Sequence, residues 1–67
     1  MNEVGFKLKR LREEKKYSAK YVVDLLKKNG FEISDKTLYG YENGIRMPNA
    51  DIFIELCKVY GLSLIHI

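Results

Sequence analysis

The chain has no tryptophan, one cysteine, one proline and one histidine, and each scarcity excludes something. Cys57 alone cannot form an intramolecular disulfide, and with His66 as its companion it cannot close a structural zinc site. No apolar run approaches the roughly 20 residues of a membrane span. Residues 1–16 hold nine charges, which argues against a secretory signal peptide. With its histidine at position 66, no glycine-rich phosphate loop and no paired carboxylates in a cleft, the chain offers no nucleophile and base to combine. The expectation is therefore a non-enzyme with no cofactor, no metal, no small-molecule substrate and no membrane partner. A reducing, cytoplasmic setting follows from the cysteine usage.

What remains is a chain of 67 residues, 46% hydrophobic and 31% charged. That is too apolar for intrinsic disorder and long enough for one domain, so residues 1–67 are expected to fold as a unit. The net charge of +3 is unevenly spread. Residues 1–16 account for +3, residues 17–33 for +1, residues 34–46 are neutral, and residues 47–67 come to −1. A mild basic excess at one end favours nucleic acid or another anionic surface, though weakly.

Glycine, asparagine and proline divide the chain into helical segments. Val4, Leu8 and Leu11 repeat at i, i+4 and i+7 and predict a helix from Val4 to Lys16. Ser18 is a good N-cap for a second helix over about 19–28, with Val22, Val23, Leu25 and Leu26 inward and Gly30 as its stop. Phe31 to Ile33 is too short for a paired strand and reads as a connection tucked onto the core. Ser34 caps a third helix over about 35–43 that Gly44 ends, with Gly40 inside it at a cost of roughly 1 kcal/mol relative to alanine. Asn49 or Pro48 opens a fourth, whose Phe53, Leu56, Cys57 and Tyr60 form one stripe before Gly61. Ser63 is placed to cap the start of a fifth. The expected fold class is all-α, a compact bundle of four to five helices containing a helix-turn-helix.

Four stretches then resemble one family in order. Val4 to Lys15 is similar to the first helix of the XRE, or lambda-repressor-like, DNA-binding domains. Ser34-Asp35-Lys36-Thr37-Leu38-Tyr39-Gly40-Tyr41-Glu42-Asn43-Gly44 resembles that family's recognition helix. Ile45-Arg46-Met47-Pro48 resembles its basic loop and proline, and Leu56 to Leu64 its fourth helix. The connection between helices 2 and 3 is about five residues longer than the usual tight turn, as in a subset with an extended second helix. Ala19 stands where the family usually has glutamine, which removes one common phosphate contact.

The resemblance implies sequence-specific binding of double-stranded DNA by a repressor of phage or bacterial type, acting as a homodimer. It makes Asp35, Lys36, Tyr39 and Gly40 the base-facing set. Lys36 can donate to guanine, Asp35 can accept from cytosine, and Gly40 would let the helix approach the groove. Ser18, Ser34, Thr37, Asn43 and Arg46 become the phosphate contacts. Arg12 and Glu42 occupy the positions of an ion pair tying helix 1 to helix 3. Leu62, Leu64, Ile65 and Ile67 are the expected self-contact.

Plainer readings stand beside these. The basic residues of helix 1, taken alone, read as a solvated face interleaved with Glu13 and Glu14. Asp35 and Lys36 can serve helix capping alone, and Tyr39 is the one tyrosine expected to touch DNA. Cys57 reads as a small core residue. The rival function is a protein-interaction module, such as an antitoxin-type or dimerisation helix-turn-helix domain, which the neutral 34–46 segment favours.

Overall fold

The structure, a computed structural model, describes residues 3–61. They form four helices: α1 (Glu3–Glu14), α2 (Ala19–Lys28), α3 (Asp35–Asn43) and α4 (Ala50–Val59). No strand occurs among the described residues. Ser63, the apolar Leu62, Leu64, Ile65 and Ile67, and His66 lie outside them.

Three helices start on the expected side chains. Ser18, Ser34 and Asn49 each sit in extended backbone and accept an N–H from the first turn, from Tyr21, Thr37 and Ile52 respectively. Helix ends follow backbone geometry. At the end of α2, Gly30 takes φ 93°, its N–H meets the Lys27 carbonyl at 3.0 Å, and the Phe31 N–H meets Leu26 at 2.8 Å. That paired pattern consumes carbonyls that would otherwise lack partners. The same pattern closes α1 two residues earlier than the hydrophobic repeat predicts. Lys16 adopts φ 60°, with Lys16 N–H on Glu13 and Tyr17 N–H on Arg12, both at 3.0 Å. A left-handed lysine is uncommon, so no glycine signals this stop in the sequence.

α1 packs on α3, α2 packs on both α3 and α4, and the core fills the space between. Val22, Leu26, Leu38 and Leu56 are wholly buried, joined by Leu8, Ala19, Tyr41 and Tyr60. Ala19 is thus a core residue. Phe31 and Ile33 are half-buried against this cluster, so the connection between α2 and α3 is anchored at two points. Asn29 Nδ2 adds a 2.9 Å hydrogen bond to the Glu55 carboxylate, tying the end of α2 to α4. α1 and α4 leave between them a cleft of about 260 Å³ lined by Val4, Leu8, Leu11, Phe53 and Cys57, with Lys7 at its side.

Candidate nucleic-acid interface

α3 has two unlike sides. Leu38, Gly40, Tyr41 and Glu42 are buried, while Asp35, Lys36, Tyr39 and Asn43 are exposed. Tyr39 leaves 47% of its surface open. The exposed set is polar and concentrated at the helix start, where Asp35 also complements the positive end of the macrodipole.

Ser34 and Thr37 share a small hydroxyl network. Ser34 Oγ accepts the Thr37 backbone N–H at 3.1 Å and lies 3.0 Å from Thr37 Oγ1. One hydroxyl donates to the other, so one O–H proton of the pair remains for an outside acceptor. Ser18 Oγ likewise accepts the Tyr21 N–H at 3.0 Å and keeps its own proton. These hydroxyls therefore cap their helices and can still donate outward.

The inner side of α3 is held by one carboxylate. Glu42 is 6% exposed and receives Arg12 in a fork, Nε at 2.7 Å to Oε2 and the second nitrogen at 3.1 Å to Oε1. The remaining guanidinium nitrogen donates to the Tyr17 carbonyl at 3.0 Å. The Arg12 guanidinium carbon also sits 6.0 Å from the centroid of the Tyr39 ring. A single arginine thus connects α1, the turn before α2, the inner side of α3 and the flank of an exposed aromatic. The hydrogen bonds to Glu42 hold Arg12 above its ordinary pKa, against the opposing effect of burial.

Gly5 and Tyr60 belong to this region although no motif marks them. A Cβ on Gly5 would lie 2.8 Å from the Glu42 carbonyl oxygen and closer still to that of Tyr41. The missing side chain is what lets α1 approach the end of α3. A glycine in a first helical turn is the only signal available in the sequence. Tyr60 is 1% exposed, stacks on Tyr17 at 6.5 Å, and its hydroxyl has no hydrogen-bond partner. Burial pushes its pKa above the ordinary range, and Glu42 adds to the effect.

Gly40 lies beneath a side chain of the loop that follows α3. It is buried, and what covers it is the Arg46 side chain. A Cβ at Gly40 would meet Arg46 Cδ at 3.3 Å, Cγ at 3.5 Å and Cβ at 3.7 Å. Its face is therefore occupied by the chain itself and does not stand open toward a groove. The Arg46 residue as a whole stays exposed, as do its neighbours Ile45 and Met47, at 78% and 63%.

Four helices with two serine-capped members joined across the core, and a polar outer side on the second of them, define a helix-turn-helix domain. A helix-turn-helix family model matches residues 8–67, and the chain belongs to that family, the lambda-repressor-like class of DNA-binding domains. Comparison with curated proteins and with solved structures finds no match. Among the described residues no helix is long and apolar enough to cross a membrane, and no three His, Cys, Asp or Glu side chains cluster as a metal site.

Proposed function

We propose that this domain reads a specific sequence in double-stranded DNA and regulates transcription, as a repressor of the phage or bacterial type. The observation that carries the reading is the division of α3. Its inner side is locked to α1 through Glu42, while Asp35, Lys36 and Tyr39 stand exposed on the outside. In this reading α3 enters the major groove with its first turn leading, the part of a recognition helix that reaches base edges. Lys36 donates to guanine O6 or N7, Asp35 accepts from cytosine N4, and Tyr39 packs against a thymine methyl. Ser18, Ser34, Thr37, Asn43 and Arg46 donate to phosphates on either side. We assign the chain a binding role in the cytoplasm, without cofactor and without enzymatic chemistry.

One such module covers few base pairs. Two copies on half-sites about one helical turn apart supply useful affinity, so we propose a homodimer on DNA. The test is selection from a pool of random duplex DNA, followed by titration at two salt concentrations. Enrichment of a two-fold-symmetric motif, with affinity falling as salt rises, is the expected result. Absence of enrichment would overturn the reading and favour a protein partner, for which exposed Ile45 and Met47 in the charge-neutral 34–46 segment and just beyond it supply the apolar contact.

A further inference from the structure

We propose that Gly40 is a positioning residue for Arg46, and that its role in DNA binding is to set the phosphate clamp and not to meet a base. The proposal rests on the reading of Arg46 as a phosphate contact.

Residue 46 is tied to residue 40 twice. The Gly40 carbonyl accepts backbone N–H groups from Ile45 at 3.0 Å and from Arg46 at 3.1 Å. The Arg46 stem then folds back over the bare Cα of the same glycine. Lys36, Gly40 and Asn43 lie on one stripe of α3, at i, i+4 and i+7. The stem therefore crosses the middle of the side that carries Lys36. An arginine side chain left in water samples many rotamers, and ordering it costs binding free energy. A stem seated on Gly40 has lost part of that freedom before DNA arrives. The seat exists only because position 40 lacks a Cβ, since 3.3 Å to Cδ is already tighter than an ordinary carbon contact. Alanine suits a helix interior better than glycine, so Gly40→Ala should leave the helix intact and disturb only the seat.

The experiment is a double-variant cycle on the full chain, measuring the affinity for a random-sequence duplex across a salt series. Circular dichroism checks that each variant is folded. Arg46→Ala should reduce the slope of log affinity against log salt by about 0.9, the value for one phosphate contact. Gly40→Val, which displaces the stem, should weaken binding by up to the loss that Arg46→Ala causes, and Gly40→Ala should fall between it and the parent. In the Arg46→Ala background the Gly40 variants should change nothing further. A Gly40→Val chain with the parental affinity at every salt would overturn the positioning role while leaving the clamp intact. Additional loss in the double variant would overturn it too, because the bare glycine would then be meeting DNA itself. An unchanged slope for Arg46→Ala would remove the phosphate reading, and the role of Gly40 with it.

Discussion

The two helices of the helix-turn-helix bury themselves by different physics. α2 hides Ala19, Val22 and Leu26, an aliphatic stripe at helical spacing. α3 hides Leu38, Gly40, Tyr41 and Glu42, a set that includes a glycine and a carboxylate. Transfer of apolar surface from water explains the first. The second depends on what faces it: Arg12 neutralises Glu42, and the Arg46 stem roofs Gly40. A helix that must keep a polar outer side for a partner has few apolar positions left. Its inner side is then held in part by a directional contact, the Arg12–Glu42 fork, which fixes its orientation as well as its burial.

The strongest way to break this comparison is to remove one member of the ion pair. Glu42→Ala leaves the partly buried Arg12 guanidinium without its carboxylate and should cost up to ~3 kcal/mol, measured by urea denaturation. Leu26→Ala in α2 should cost ~2–5 kcal/mol, through a cavity. Replacing both Arg12 and Glu42 with apolar residues of similar volume should be less destabilising than Glu42→Ala alone. A double variant as damaged as the single one would show that the pair's hydrogen bonds, and not its desolvation, dominate.

Gly5→Ala tests the close approach that makes the pair possible. Despite the better helix propensity of alanine, the added Cβ should destabilise the fold by ~1–3 kcal/mol, visible in a thermal melt. An unchanged melting temperature would mean that α1 shifts without disturbing Glu42.

Lys36→Ala tests the outer side. It should leave stability within ~0.5 kcal/mol of the parent. It should also relax preference at one base position by ~1–3 kcal/mol in a binding-site profile. An unaltered profile would remove Lys36 from readout.

The smallest effect has the opposite sign. Tyr60→Phe removes a buried hydroxyl that has no partner, and should raise stability or leave it unchanged, within about 1 kcal/mol. The folded-state pKa of Tyr60 is raised above the ordinary tyrosine value, so the unfolded chain ionises first. The stability this contributes is whole below pH ~10 and is lost as pH rises through the folded-state value, at up to ~1.4 kcal/mol per pH unit. The difference between parent and variant in alkaline urea melts reads that loss directly.

The sequence carried the parts that depend on neighbours along the chain. Ser18, Ser34 and Asn49 cap their helices because a short oxygen side chain reaches an N–H three residues on, whatever the rest of the molecule does. The i, i+4 spacing of Val22 and Leu26, and of Leu56 and Tyr60, marks their buried faces for the same local reason. Lys16 was not legible, because its left-handed backbone is chosen by the hydrogen bonds it closes and not by its side chain. Placing Gly40 on the outer side of α3 was sound as helix geometry. Only the returning loop revealed that Arg46 fills that space.

By itself, then, the sequence determined four helices, the capped starts of three, three of their ends and most of the aliphatic core, since each follows from interactions within a few residues. The tertiary structure alone decided how close α1 comes to α3, that Arg12 also holds the Tyr17 carbonyl, that the Tyr60 hydroxyl goes without a partner, and that Arg46 lies on Gly40. Those outcomes depend on distances between residues far apart in the chain or across a turn. Steric fit and the exclusion of water settle such distances only when the whole core has closed.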